Sequence, residues 1–361
     1  MLIEMRGELS GGKVVVEGSE AEILGFRGFG KKKDRIVLSL EEAAVLLETS
    51  KLVITDEGGT DLTLAEFLKL AVEIAPKFGV RYLVYRDLKG RGYVVQPGRA
   101  DFWLYPRGVK PGEKPARYFV RIFSERDCIS VKELGELLIL ARNMRKEPIL
   151  AVADEESDVT YYEVKEAKLE TQEGKEGGDD ITEKVTVTLL GDRVILWDTD
   201  VAEYLYRTYF FGTLTKEKRL LLSFPEAVYL MKRGLLELNG APLESQYSNV
   251  KPLNGERLIK YARSIEPEFM DKYQVYADLM EKGLIVKTGF KFGSHFRVYR
   301  ATQQKHSLYL IHMLPEDHVF TLPELSRAVR LAHGVKKRMI FAFREQEGGA
   351  LRYVDVGRMK L

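Results

Sequence analysis

Three side chains in the second half of the chain could together break an RNA backbone: a phenol, an imidazole and an ammonium. Tyr299 ends the run HFRVY, His306 stands in KHSLYL, and Lys337 stands in VKKRM. One such group can take the proton of a 2′-hydroxyl and a second can protonate the departing 5′-oxygen. A fixed cation then stabilises the charge that gathers on the phosphoryl oxygens in the transition state. No metal is required. Each residue type also has an ordinary use: a strand-end tyrosine packs, a loop histidine is solvated, and a helix-end lysine complements the dipole. All five histidines (His295, His306, His312, His318 and His333) lie in the second half, so imidazole chemistry is confined there.

Other chemistries find less support. GFRGFGKK (25–32) approaches a phosphate-binding loop, but Lys32 stands where a Mg²⁺-binding Ser or Thr is needed, so it reads as a glycine turn. There is no His-Glu-x-x-His and no carboxylate–lysine cluster of the kind metal-dependent DNA nucleases use. ADEESD (153–158) reads as a solvated hairpin loop or a plug for a basic pocket rather than a calcium loop. The single cysteine, Cys128, excludes an intrachain disulfide and a cysteine-ligated zinc. No metal ligands and no cofactor are expected. No apolar run reaches the ~20 residues of a membrane span, and MLIEMRGELS is not a secretory leader. The expected placement is cytoplasmic.

The elements that must position the three side chains come from a tandem repeat. RIVLSLEEAAVLLETSKLVI (35–54) matches RLLLSFPEAVYLMKRGLLEL (219–238) at an offset of 184. ADFWLY (100–105) matches SHFRVY (294–299) at 194. ARYFVRIF (116–123) and LARNMRKEPILAVAD (140–154) match SLYLIHML (307–314) and LAHGVKKRMIFAFRE (331–345), both at 191. Order is kept and the offset moves only at loops, which chance similarity would not do. Between the copies, ETQEGKEGGDD (170–180) reads as a flexible linker.

The expected fold class is α/β (α+β). Each copy is a small mixed N-terminal subdomain followed by a nuclease-like α/β C-terminal subdomain. The expected division is 1–169 (subdomains 1–62 and 63–169), a linker at 170–181, and 182–361 (subdomains 182–250 and 251–361). Helices are expected at 39–49 and 223–233, capped by Ser39 and Ser223 with Glu42 and Glu226 completing capping boxes. Further helices are expected over 131–145 and 322–335, each leading into a final hairpin. The formal net charge of +2 divides into −5 for residues 1–180 and +7 for 181–361, so the second copy is the candidate for a polyanion.

The second copy resembles the archaeal tRNA-splicing (tRNA-intron) endonucleases. The likeness rests on YQVYADLMEKGLIVKTGFKFGSHFRVYR (273–300), KHSLYLIHMLPEDH (305–318) and ELSRAVRLAHGVKKRMIFAF (324–343), and extends more weakly over the first copy. Two fused copies with the catalytic one second resemble the branch that works as a homodimer. The resemblance implies Tyr299 as general base, His306 as general acid and Lys337 as transition-state cation. It implies 2′,3′-cyclic phosphate and 5′-hydroxyl ends, with precursor tRNA cut at bulge-helix-bulge intron junctions. By the same resemblance Arg330 and Arg352 sandwich an extruded base, and guanidinium planes stack well on bases. Asp154, Glu155, Glu156 and Asp158 would form the acidic loop that plugs a basic pocket across the dimer.

The first copy keeps Tyr105 and Lys146 but holds Pro115 at the His306 position and Tyr161 at that of Arg352. It is therefore expected to be inactive. The competing expectation is a non-catalytic RNA-binding or scaffold subunit serving another catalytic chain.

Overall fold

A computed structural model describes residues 5–32, 35–98, 100–109, 111–169, 184–238, 255–300, 306–345 and 349–361. The expected linker and the 250/251 boundary fall outside these residues. The chain forms two compact units: Met1–Lys165 with Asp317–Arg330 and Val356–Leu361, and Glu166–Glu316 with Leu331–Asp355. Both show the same mixed α/β plan.

Each N-terminal subdomain is a five-stranded sheet. In the first copy its order is Lys31–Lys32, Ile36–Leu38, Lys13–Val16, Arg6–Ser10, Val53–Thr55. In the second it is Thr213–Leu214, Leu220–Leu222, Arg193–Leu196, Val185–Leu190, Leu236–Leu238. Arg6–Ser10 turns tightly into Lys13–Val16 because Gly11 and Gly12 both take positive φ, 56° and 75°. The helix Leu40–Glu48 is buried almost all round, including Glu41 and Glu42, so both carboxylates need partners. Glu41 pairs with Arg81 at 2.5 Å. Glu42 Oε2 accepts from the Ser39 N–H at 2.8 Å, closing the capping box, while its Oε1 accepts from the Gly30 N–H, also at 2.8 Å. Glu226 repeats both bonds with Ser223 at 2.9 Å and Gly212 at 2.8 Å. One glutamate thus caps a helix and ties it to a glycine turn in each copy.

The C-terminal subdomains carry the larger sheets. In the second copy the order begins Ile285–Thr288, Phe296–Tyr299, Tyr309–Met313, Arg338–Arg344 and continues with Leu351–Met359. The first two pairings are antiparallel, and Tyr309–Met313 runs parallel to Arg338–Arg344. A parallel pair needs a crossover, which the helix Leu322–Gly334 supplies. The first copy repeats this with Tyr118–Ser124, Glu147–Ala153 and the helix Val131–Met144. The strands of both parallel pairs are nearly continuous apolar runs, as sheets covered on two faces demand.

The first unit contains a local exchange between copies. Cys128–Ser130 pairs antiparallel with Val319–Thr321, Ile129 standing opposite its own counterpart Phe320. The Val131 N–H donates to the His318 carbonyl at 3.0 Å, and the Leu322 N–H donates to that of Asp127 at 3.4 Å, two bonds related by the same offset. Met359 and Leu361 pack on this unit's core, and Arg91 donates to the Leu361 carbonyl at 3.3 Å.

In the second unit, His295 Nδ1 accepts from the Met313 N–H at 3.0 Å, which requires an unprotonated nitrogen. Burial, with His312 and Lys272 nearby, pushes its imidazole down to about 4. Below an ordinary imidazole's range the unfolded chain takes a proton that the folded chain refuses, so stability falls as pH drops from 6.5 towards 4. The expected loss is about 2–3 kcal/mol. His295→Asn keeps an acceptor without a titrating ring and should lose clearly less. Urea unfolding at neutral and acid pH checks this, and an equal loss in both proteins would refute it.

Candidate active site

Strand directions gather the three candidate residues. Phe296–Tyr299 runs antiparallel to Tyr309–Met313, which runs parallel to Arg338–Arg344. The end of the first strand and the starts of the other two therefore share one end of the sheet. Tyr299 is the last residue of its strand, His306 lies three residues before the second, and Lys337 immediately precedes the third.

Tyr299 is 6 % exposed, opposite Ile285. Its ring meets Phe210 edge to face, centroids 6.3 Å apart, and the Arg297 guanidinium lies 5.9 Å from its centre. His306 is exposed, whereas Ser307 beside it is buried. Residues 301–305, between Tyr299 and His306, lie outside the described residues.

Lys337 is aimed by a left-handed turn. After the helix Leu322–Gly334, Lys336 takes φ 56° and the Lys337 N–H returns to the Ala332 carbonyl at 2.9 Å. The half-buried ammonium then donates to the Ser307 carbonyl at 3.1 Å and lies 5.6 Å from the Phe292 ring centre. A cation is thereby fixed to the peptide next to an exposed imidazole, at the strand end that carries a phenol.

The first copy reproduces this cradle without the imidazole. Arg145 takes φ 53°, and Lys146 Nζ donates to the Ala116 carbonyl at 2.5 Å. Pro115 precedes Ala116 where His306 precedes Ser307. The Tyr105 hydroxyl donates to Gln96 at 3.0 Å, and burial raises its pKa.

The two arginines are placed differently. Arg352 is ion-paired with Glu345 and, at 3.5 Å, with Glu166, so both carboxylates hold its guanidinium. Arg330 is exposed, on the stretch of helix that belongs to the first compact unit. In the acidic loop, Asp154 Oδ1 accepts from the N–H groups of Glu156 at 3.1 Å and Asp158 at 2.9 Å, and Glu155 pairs with Arg126 at 2.5 Å. Asp154 is thus the loop's organising residue, while Glu156 and Asp158 are exposed at its tip.

Sequence reasoning overlooked a second layer behind Tyr299. Lys287 is buried, donates to the Gly212 carbonyl at 2.5 Å, and pairs with Glu226 at 3.4 Å. Burial pulls its ammonium down, against the opposing pull of Glu226. A lysine inside the apolar run GLIVKTG was the available signal. Among the described residues no group of three or more His, Cys, Asp or Glu is placed to hold a metal ion, and no helix is long and apolar enough to cross a membrane.

Comparison with known proteins agrees along the whole chain. The model of the tRNA intron endonuclease catalytic C-terminal domain matches twice, at residues 78–161 and 269–353. The model of the tRNA intron endonuclease N-terminal domain also matches twice, at 5–68 and 185–245. The tRNA-splicing endonuclease of Methanococcoides burtonii is 40% identical over 363 residues, covering 99% of this chain and 100% of that protein. That of Methanosarcina mazei is 42% identical over 364 residues, covering 99% of each chain. That of Halobacterium salinarum is 32% identical over 376 residues, covering 98% and 99%.

Proposed function

Because the chain belongs to the tRNA intron endonuclease family, we propose that it cuts precursor tRNA at bulge-helix-bulge junctions with Tyr299, His306 and Lys337 as its catalytic residues. The observation carrying this reading is the Lys337 ammonium bonded to the Ser307 carbonyl, beside His306, at the sheet end where Tyr299 lies. The Tyr299 oxygen takes the 2′-hydroxyl proton, and the freed 2′-oxygen attacks the adjacent phosphorus. His306 gives its proton to the 5′-oxygen as that P–O bond breaks, and Lys337 stabilises the charge on the non-bridging oxygens. The products are a 2′,3′-cyclic phosphate and a 5′-hydroxyl. Nothing in this balance calls for a metal.

Arg352, ion-paired with Glu345 and Glu166, and the exposed Arg330 are the residues assigned to an extruded base, on which guanidinium planes stack well. A homodimer gives the enzyme two active sites for the two bulges of a pseudo-symmetric RNA. The first copy's acidic loop contributes to that dimer. Replacing Glu155, Glu156 and Asp158 together by Ser, with Asp154 kept to hold the turn, should weaken dimerisation about 10- to 100-fold. Sedimentation at falling concentration reads this, and an unchanged mass would refute the plug.

The decisive assay is cleavage of a bulge-helix-bulge RNA in EDTA with the end groups determined. Cyclic phosphate and 5′-hydroxyl ends are expected. Abolition by EDTA, or 5′-phosphate ends, would overturn the mechanism. Binding without cleavage would favour the scaffold reading.

A further inference from the structure

We propose that Phe210 is a positioning residue: held in a left-handed backbone conformation and pinned beside the buried Lys287–Glu226 pair, its ring orients Tyr299. The proposal rests on the reading of Tyr299 as general base.

Phe210 follows the helix Thr199–Tyr209 with φ 65° and ψ 24°. Its N–H returns to the Tyr206 carbonyl at 3.0 Å, and that of Phe211 returns to Leu205 at 3.3 Å. This helix-ending conformation ordinarily belongs to glycine, and a bulky side chain there is strained. The first copy has the glycine. Gly28 stands two residues before Gly30, just as Phe210 stands two before Gly212, and takes φ 77°. Strain retained only in the copy with the full catalytic set points to a use for the side chain.

That use is visible in the contacts. One face of the Phe210 ring stacks on Tyr206, centroids 5.5 Å apart and planes at 20°. The Lys287 ammonium lies 5.2 Å from its centre, on the strand next to that of Tyr299. Lys287 is fixed in turn by the Gly212 carbonyl and by Glu226, the carboxylate that also caps the neighbouring helix. Phe210 then meets Tyr299 at 64°. In the first copy Gln96 replaces Lys287 and binds the Tyr105 hydroxyl itself. In the second copy the contacts shown among the described residues go to the tyrosine ring.

The test is single-turnover cleavage of a bulge-helix-bulge RNA at saturating enzyme, across pH, for wild type, Phe210→Gly, Phe210→Tyr and Tyr299→Phe. RNA affinity and melting temperature are measured alongside. Phe210→Gly should slow cleavage about 10- to 100-fold and alter the pH–rate profile, with affinity and melting near wild type. Phe210→Tyr, which keeps the ring, should restore most of the rate. If Phe210→Gly fails to fold, Phe210→Leu carries the same expectation. Wild-type cleavage by the Gly or Leu variant, with Tyr299→Phe inactive, would overturn the positioning role. So would losses of rate and melting in step that Phe210→Tyr does not rescue. Wild-type cleavage by Tyr299→Phe would instead remove the underlying reading of Tyr299.

Discussion

His306→Ala should slow cleavage about 10²- to 10⁴-fold, the usual worth of a positioned proton donor. At about 1.4 kcal/mol per tenfold, that is about 3–6 kcal/mol of transition-state stabilisation. Folding should be untouched, because His306 is exposed and the clamp beside it uses the Ser307 carbonyl rather than the imidazole. RNA affinity should hold, since a donor to the leaving oxygen matters mostly in the transition state. Single-turnover rates with a separate binding titration separate the two quantities. A rate within a few-fold of wild type would remove His306 as the acid. Solution imidazole restoring part of the variant's rate would show that the missing element is a proton donor.

Lys337→Met should slow cleavage about 10²- to 10³-fold, comparable to losing one electrostatic contact to the developing charge. This lysine also has a structural duty that could imitate catalysis, because without it the Ser307 carbonyl loses its donor. The first copy supplies the control. Lys146 makes the same bond to Ala116, after the same left-handed turn. Both variants should lose a similar, modest stability of about 1–3 kcal/mol, while only Lys337→Met loses activity. If Lys146→Met slows cleavage as much, Lys337 is a strut rather than a catalytic residue.

Much of the architecture was legible because each copy obeys local rules. Ser39 with Glu42 marked a helix start in sequence, and the structure places the helix at Leu40–Glu48 with that capping box. The helix expected over 131–145 is Val131–Met144. The helices Ser19–Phe26 and Thr199–Tyr209 were not legible. The first is only two turns long, with Gly25 inside it and an exposed Phe26. The second is rich in Thr, Val and Tyr, which favour strands, and depends on Asp198, whose side chain accepts from Asp200 and Val201. Tyr299, His306 and Lys337 stand out in sequence by their types, and their roles come from the family resemblance rather than from spacing. Phe210 carries no such signal, and Lys287 only that of a lysine in an apolar run, since their meaning comes from meeting across 77 residues of sequence. From sequence the acidic loop reads as a solvated hairpin loop or plug with Asp154, Glu155, Glu156 and Asp158 alike in it. The structure separates Asp154, which organises the turn, from the tip carboxylates, a distinction that Asx-turn chemistry explains.

The strand exchange in the first unit bears on how the protein is made. The unit includes residues 317–330 and 356–361, and Met359 and Leu361 pack on its core, so the contacts that finish it form only after nearly the whole chain has been synthesised. The usual order, in which an N-terminal domain folds while the rest is still being translated, therefore leaves this unit incomplete until its last strand is made. Until then Cys128–Ser130 is an unpaired edge, a template for pairing with another chain. Closing contacts over so long a span is slow. Severing the chain within 170–181 would divide the sequence but not the two compact units, since the first draws on residues from both sides of the cut.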